Sequence, residues 1–337
     1  MNESRENNVP QDVRIAVIIP CYNEAATIAT VVGDFRSHLP LADIYVYDNN
    51  SGDETARLAE QAGAIVRREP QQGKGHVVRR MLSDVDADVY VMVDGDDTYD
   101  ASAAPRMARM LVEENLAMVV GRRIHEQAEA YRPGHVLGNK LFTGAVERLF
   151  GRTFTDILSG YRILSRRFVK SFPLASAGFE VETELTVHAL TLKLPVAEID
   201  TPYRMRPEGS VSKLSTYTDG LRILYMIVQL FRSERPQLFY SAIGSLLILL
   251  SLVLAYPLVV TFLETGLVPR FPTAILATGM ALSGLLSFCN GFILDTVTQG
   301  RREAKQLAYL AMPPFQARPS EAGRESATAQ SRPGARI

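Results

Sequence analysis

Short apolar runs and amphipathic segments follow one another along residues 14–120. The apolar runs have the length of buried strands and predict strands at 14–19, 44–47, 64–66, 87–93 and 116–120. The segments between them predict helices at 24–38, 54–62, 74–83 and 101–114. Strands that alternate with helices in this way predict an α/β fold, in which a mainly parallel sheet is covered by helices on both faces.

The polar clusters of this region stand where predicted strands end. Residues 21–24, 48–53 and 94–98 each follow an apolar run. Ligands of parallel α/β sheets bind at the carboxyl ends of the strands. The order of the elements therefore indicates the edge of the sheet at which a site would form.

The C-terminal part of the chain is far more apolar. Residues 238–263 and 271–294 contain no Asp, Glu, Lys, Arg or His. Each run is longer than the ~20 apolar residues that a membrane-spanning helix needs, so together they predict a transmembrane hairpin over 238–298. A pair of buried core helices is the alternative, but soluble helices of this length normally carry a polar stripe.

Basic residues near the two runs predict their orientation. Five of them flank the hairpin on its outer sides: Arg232, Arg235, Arg301, Arg302 and Lys305. The connecting loop holds only Arg270, beside Glu264. Because positive residues favour the cytoplasmic side, we expect two spans in the cytoplasmic membrane, with the α/β domain and both termini in the cytoplasm.

Three further segments complete the predicted layout around the α/β domain, which we place at 13–213. Residues 1–12 and most of the tail, 299–337, offer little to bury and predict disorder. Residues 214–235 combine a broad apolar face with interspersed polar residues. That segment is either an amphipathic helix in contact with membrane lipids or a helix packed on the α/β domain.

Composition narrows the range of functions. The 337 residues contain 36 Lys and Arg against 37 Asp and Glu, and this near-neutral balance argues against nucleic acid as a partner. Two distant cysteines, Cys21 and Cys289, exclude a disulfide scaffold and a cysteine-based zinc site. The sequence leaves open whether the chain forms a homo-oligomer.

Asp94, Asp96 and Asp97 crowd into one turn after an apolar run. Carboxylates this close repel one another unless a cation is present. Asp94 and Asp96 are two positions apart, so extended backbone would point both in the same direction. Such oxygen ligands suit Mg²⁺ or Mn²⁺ shared with a phosphate, whereas a solvated acidic turn is the alternative.

Four motifs follow one another along the chain: VIIPCYNE at 17–24, DNNSGDET at 48–55, QGKG at 72–75 and DGD at 94–96. In type and order they resemble the motifs of family 2 glycosyltransferases with the GT-A fold. SGYR at 159–162 and GSVSKL at 209–214 resemble the dolichyl-phosphate mannose synthase branch, and the two apolar runs resemble its bacterial polyprenyl-phosphate members. The resemblance implies a GT-A domain that transfers a hexose from a UDP- or GDP-sugar to polyprenyl phosphate, with inversion, for cell-envelope glycans.

The same resemblance implies roles for individual residues. The nucleotide-sugar site would comprise Pro20, Tyr22, Asn23, Glu24, Asp48, Asn50, Lys74, Asp94 and Gly95. Asp94 and Asp96 would hold the metal, with Asp97 or water as third ligand, because Thr98 stands where the branch can use glutamine. The family pattern D-D-G-S is replaced by Asp48-Asn49-Asn50-Ser51, which leaves the base undetermined.

A phosphate acceptor is already anionic, so it needs cations to position it rather than a general base. The candidates beyond the fifth predicted strand are Arg122, Arg123, Arg132, Arg162, Arg206 and Lys213. Arg122 and Arg162 fall within family-like motifs and are predicted to act with Asp94 and Asp96 in catalysis. A solvated basic face is the alternative for each of these residues.

The sequence is also compatible with two other functions. Transfer to a hydroxyl of another lipid or glycan would require a carboxylate base, whereas an inactive membrane scaffold would not need the Asp94 and Asp96 pair. Glu180, Glu182 and Glu184 lie on a predicted helix that the resemblance places near the site. One of them orients the sugar or an arginine there, or all three are solvated.

Overall fold

The computed structural model describes residues 13–125, 144, 147–148, 151, 154–173, 181–204, 225 and 227–313. The chain divides into two compact units. The first comprises residues 1–214 together with 305–337, and the second comprises residues 215–304. The predicted disordered segment 1–12, most of the predicted interfacial helix and the end of the tail lie outside the described residues.

A seven-stranded sheet forms the centre of the first unit. Its strands are β1 (Ile15–Cys21), β2 (Asp43–Asp48), β3 (Ile65–Arg68), β4 (Val89–Met92), β5 (Met118–His125), β6 (Arg162–Ser165) and β7 (Val196–Tyr203). Their order is β3-β2-β1-β4-β6-β5-β7. Only β6 runs antiparallel to its neighbours among these strands, so the predicted α/β fold with a mainly parallel sheet is confirmed.

Six helices pack around this sheet in the described part of the first unit. They are α1 (Ile28–His38), α2 (Thr55–Gln61), α3 (Lys74–Asp84), α4 (Ala104–Glu113), α5 (Arg166–Ser171) and α6 (Val181–Thr191). Each amphipathic helix turns its apolar face inward, as α1 does with Ile28, Val31, Val32 and Phe35. The predicted and observed helices differ by a few residues at their ends.

The central strands explain why the first apolar runs show little alternation. Ile18 and Ile19 of β1 face opposite sides of the sheet and are both fully buried, and all of β4 is buried. Strands covered by helices on both faces are apolar throughout. The chain becomes polar only where these strands end, which leaves the carboxyl edge of the sheet for chemistry.

The second unit contains two long helices, α7 (Pro236–Thr265) and α8 (Phe271–Ala311), whose first part pairs with α7. Their buried positions recur every seven residues: Gly244, Ser251 and Leu258 on α7, and Ala277, Gly284, Gly291 and Thr298 along α8. A Cβ on Gly244 would lie 2.8 Å from the carbonyl oxygen of Gly284, so the close approach requires glycine there. The two helices are long and apolar enough to cross a membrane.

Helix α8 extends beyond the predicted hairpin. It continues to Ala311, so residues 299–311 of the predicted tail are helical. Its last residues belong to the first unit, where the Arg167 guanidinium lies 4.1 Å from the ring centroid of Tyr309. Arg167 Nε also donates to the Tyr309 carbonyl oxygen at 2.7 Å, and this packing gives the end of the helix a partner that the sequence pattern did not indicate.

Candidate active site

The loops after β1 and β2 are tied together by hydrogen bonds. Asn23 N donates to Ser51 Oγ at 2.9 Å, and Gly52 N donates to Asn23 Oδ1 at 2.8 Å. Glu24 N donates to Thr55 Oγ1 at 2.8 Å. These bonds hold the predicted nucleotide-sugar residues of β1 and β2 in one continuous surface at the carboxyl edge of the sheet.

The backbone at this edge adopts an uncommon conformation. Asn23, Asn50 and Asp97 have φ values of 54°, 61° and 57°, and each of them follows a different strand. Asn and Asp tolerate this left-handed region better than other side-chain-bearing residues. The bends redirect the chain after all three strands.

Asn49 joins the end of β2 to the loop that precedes α3. Its Nδ2 donates to the carbonyl oxygens of Glu69 and Gln71 at 3.0 and 2.7 Å, and its Oδ1 accepts from Gly73 N at 2.8 Å. An aspartate carboxylate in place of the Asn49 amide would have no N–H group to donate to these two carbonyl oxygens. Asn49 therefore has a structural role, in which it connects the end of β2 to the loop that leads to Lys74.

Lys74 forms the most enclosed ion pairs of the site. Its Nζ lies 2.6 Å from Asp94 Oδ1 and 2.5 Å from Glu182 Oε1, so one ammonium bridges the end of β4 and helix α6. Burial opposes the charged form, but the two carboxylates outweigh it and hold the pKa of Lys74 above its usual value. Gly73, at φ 131°, makes the turn that brings Lys74 into this position.

Asp96 and Gly95 are fixed by their neighbours. Asp96 is buried, and its Oδ1 accepts from Thr98 Oγ1 at 2.6 Å. The carbonyl oxygen of Gly95 accepts from Thr27 Oγ1 at 2.6 Å, and a Cβ on Gly95 would lie 2.7 Å from Cys21 Sγ. The DGD turn is therefore packed against β1, with no space for a side chain at position 95.

The Asp94 and Asp96 pair fits a hard divalent cation. Within the described residues, no group of three His, Cys, Asp or Glu side chains forms a protein-only metal cage. Mg²⁺ and Mn²⁺ do not need one, because Mg²⁺ is commonly held by one or two carboxylates plus water and substrate phosphates. In the structure, the Asp94 carboxylate pairs with a cationic group, the Lys74 ammonium.

Asp97, named above as a substitute third ligand, lies in a partly buried acidic environment. Burial, followed by the nearby charges of Asp34 and Asp96, raises the pKa of its carboxyl. Thr98 donates its hydroxyl hydrogen to Asp96, so its hydroxyl supports a carboxylate of the predicted metal pair.

Two of the arginines predicted to bind the acceptor phosphate are paired with carboxylates in the structure. Arg122 on β5 forms a two-pronged pair with Asp200, at 2.5 and 2.7 Å, and remains partly exposed. Arg123 forms a similar pair with Asp156, with both distances 2.7 Å. Arg132, Arg206 and Lys213 lie outside the described residues.

Arg162 does not occupy the position that the sequence suggested. It is completely buried, although the resemblance implied that it binds the acceptor phosphate. Its guanidinium donates to the carbonyl oxygens of Ile157 and Ser159 at 2.5 and 2.9 Å and to Thr186 Oγ1 at 2.9 Å. Burial lowers the pKa of Arg162 to about 10, so it is still charged at neutral pH. Its place in the interior corrects the expectation: Arg162 holds the 157–159 loop and α6 together.

The structure brings most of the predicted site residues to one edge of the sheet and distinguishes one of the three candidate glutamates. The predicted residues at the ends of β1, β2 and β4, together with Lys74, share the carboxyl edge: Pro20, Tyr22, Asn23, Glu24, Asp48, Asn50, Asp94, Gly95 and Asp96. The sequence offered three glutamates on one predicted helix and did not indicate which of them, including Glu182, lies in the site. The burial of Glu182 and its contact with Lys74 distinguish it, while Glu180 lies outside the described residues.

The chain is similar in sequence to several known proteins. The sequence model described as Glycosyl transferase family 2 matches residues 16–172. Glycosyltransferase AglJ of Haloferax volcanii is 34% identical over 242 residues, which is 70% of this chain and 78% of the relative. A dolichyl-phosphate hexose transferase of the same organism is 29% identical over 225 residues, or 66% of this chain and 96% of the relative.

A solved structure has a similar fold. It is glucosyl-3-phosphoglycerate synthase from Mycobacterium tuberculosis, in complex with Mn²⁺, uridine diphosphate and glucosyl-3-phosphoglycerate. The two structures superpose with a TM-score of 0.51 and 24% identity, over 65% of this chain and 79% of that one.

Proposed function

Because the chain belongs to glycosyl transferase family 2, we propose that it is a membrane-bound hexosyltransferase that uses a nucleotide sugar as donor and polyprenyl phosphate as acceptor. The product would be a polyprenyl-phospho-sugar for the assembly or modification of cell-envelope glycans. The observation that carries the proposal is the Asp94 and Asp96 pair, held at the carboxyl edge of the sheet beside the Lys74 ammonium.

The donor half of the site supports a nucleotide diphosphate. Asp48 ends β2 and Asn50 follows in the next loop, and both would contact the base or ribose. Tyr22, Asn23 and Glu24 border them. Lys74 supplies positive charge for the phosphates. When bound, Mg²⁺ or Mn²⁺ supplies charge neutralisation for the departing diphosphate. The similar solved structure that contains Mn²⁺ and uridine diphosphate supports a UDP-sugar as the first donor to test.

The acceptor half supports a phosphate nucleophile. The name of the similar dolichyl-phosphate hexose transferase indicates an acceptor of this class for that protein. A phosphate oxygen attacks without losing a proton, so the chain needs no general base, and a single in-line attack inverts the anomeric centre. Arg122 and Arg123 are the described cations that we place next to the acceptor, with Arg132, Arg206 and Lys213 as further candidates.

The second unit supports a membrane location. In the most apolar stretches of α7 and α8, only 6% and 11% of the residues are buried. Large apolar side chains such as Leu249, Leu252 and Leu285 are more than half exposed. So much exposed apolar surface is stable in lipid and unfavourable in water. We therefore propose two spans, with the lipid acceptor reaching the catalytic domain at the inner leaflet.

Fusions of a location reporter test the topology. We expect fusions after residues 233 and 310 to report the cytoplasm, because the basic residues flank the outer ends of the hairpin. A fusion within the loop at residue 267 is the matched control and should report the opposite side. A cytoplasmic signal from residue 267, or an external signal from residue 233 or 310, would contradict the hairpin.

Transfer into lipid tests the proposed acceptor. Membranes that contain the protein, incubated with radiolabelled nucleotide sugars and Mn²⁺, should move label into the organic phase when polyprenyl phosphate is added. The free polyprenol should give no labelled product, because a neutral hydroxyl requires a base to remove its proton. Membranes without the protein are the control.

Equal labelling of polyprenol and polyprenyl phosphate would overturn the phosphate mechanism. The search would then turn to a carboxylate base, with Asp97 and Glu182 as the first candidates.

A further inference from the structure

One ammonium lies between two carboxylates that belong to different elements. Lys74 Nζ contacts Asp94 after β4 at 2.6 Å and Glu182 on α6 at 2.5 Å. The Lys74 side chain is 13% exposed and that of Glu182 is 7% exposed, whereas that of Asp94 is 29% exposed. Asp94 is therefore the partner that a cation from solvent can reach, and Glu182 is the enclosed one.

Lys74 and a divalent cation would compete for Asp94. The ammonium lies at hydrogen-bond distance from the carboxylate that we assign to the metal. Like charges a few ångströms apart repel strongly in a partly desolvated site. A metal ion on Asp94 therefore weakens the hold of that carboxylate on Lys74, and Glu182 becomes the main remaining partner of the ammonium.

Buried contacts hold the backbone at Glu182. Its carbonyl oxygen accepts from Thr186 Oγ1 at 2.9 Å, and Thr186 Oγ1 accepts from the buried Arg162 guanidinium at 2.9 Å. Gly160, from the same SGYR segment, packs directly against the Asp94 carboxylate. The two carboxylates around Lys74 are therefore supported by one segment, and their separation does not depend on a mobile surface side chain.

We propose that Lys74 serves as an internal counter-cation for the metal site, and that Glu182 is the positioning residue that retains Lys74 when a divalent cation takes Asp94. This rests on the proposed function, because it assumes that Asp94 is a metal ligand. Glu182 then keeps the ammonium at the edge of the donor site, where it meets the phosphates. No proton transfer or bond change is involved.

The test is the affinity of the purified full-length protein for Mn²⁺, measured without nucleotide by the electron paramagnetic resonance of free Mn²⁺. Lys74→Met removes the competing charge and should tighten Mn²⁺ binding by about tenfold. Glu182→Gln leaves Asp94 as the sole charged partner of the ammonium within this triad and should weaken binding by about tenfold. Thermal melting of each variant checks that it is folded.

The double variant separates positioning from a general charge effect. If Glu182 acts through Lys74, the double variant should bind Mn²⁺ as Lys74→Met does. Glu184→Gln is the matched control, because it removes a carboxylate from the same helix two positions away, on a different face, and should leave the affinity unchanged.

Three results would overturn the inference. Unchanged Mn²⁺ affinity in Lys74→Met or in Glu182→Gln would do so alone and would leave the metal-dependent function standing. A double variant in which the two effects simply add would show that Glu182 acts on the metal without Lys74. If neither the wild-type protein nor Lys74→Met binds Mn²⁺, both the inference and the metal part of the proposed function are wrong.

Discussion

Replacing Asp96 or Asp94 with asparagine should reduce sugar transfer by roughly 100- to 1,000-fold, the range expected when charge stabilisation of several kcal/mol is lost from a transition state. The amide keeps the size of the side chain but removes the negative charge that would hold the metal. Asp96 is buried and accepts a hydrogen bond from Thr98, so its carboxylate is oriented before the nucleotide sugar binds. The measurement is the initial rate of label transfer at saturating donor, with and without EDTA.

Asp86→Asn is a suitable control for these variants. Asp86 precedes β4, whereas Asp94 follows it, so the two aspartates lie at opposite ends of the same strand. Asp86 is half exposed and pairs with Arg14 and Arg166 on the surface. Its replacement should leave transfer within about twofold of wild type, since surface ion pairs contribute about 0–1 kcal/mol. Near-normal transfer by Asp96→Asn, or by the wild-type protein in EDTA, would refute the metal assignment.

Replacing Arg162 with alanine should destabilise the catalytic domain by about 3 kcal/mol or more. The change leaves the carbonyl oxygens of Ile157 and Ser159 without their donor inside the core, and it creates a cavity. For a domain of this size such a loss lowers the melting temperature by roughly 6–12 °C. The measurement is thermal unfolding of the purified protein in detergent.

Arg166→Ala provides the comparison, because Arg166 begins the next helix, is half exposed and forms a surface ion pair with Asp86. It should lower the melting temperature by no more than about 2–4 °C. An Arg162→Ala protein as stable as wild type, but with an increased requirement for acceptor, would instead restore the role that the sequence resemblance implied.

The sequence predicted that the polar clusters share one edge of the sheet, because each cluster follows directly on an apolar run. Asp94, Asp96 and Asp48 each follow directly on an apolar run, and parallel strands bring their carboxyl ends to one edge. The motif order was sufficient to indicate the family, which the comparisons confirmed. The third metal ligand, the base and the acceptor contacts depend on loops and partners that no local pattern specifies.

Charge by itself did not indicate which basic residues were available to a ligand. The sequence predicted the same role, binding of the acceptor phosphate, for Arg122, Arg123 and Arg162, but their surroundings in the structure differ. Arg122 pairs with Asp200 and is partly exposed, whereas Arg123 pairs with Asp156 and is less exposed. Arg162 is buried and donates to backbone carbonyl oxygens. Burying an arginine is favourable only when every donor finds a partner, and those partners come from distant parts of the chain.

The sequence by itself determined the alternation of strands and helices, the edge of the sheet at which the polar clusters lie, and the two long apolar helices, because each follows from the spacing of apolar residues. Only the tertiary structure decided which charged groups meet. Lys74 contacts residues that are 20 and 108 positions away in the chain, and the buried Arg162 reaches Thr186 across 24 positions. Such contacts arise when separate elements pack on the same sheet, so they are set by the path of the chain rather than by any local pattern.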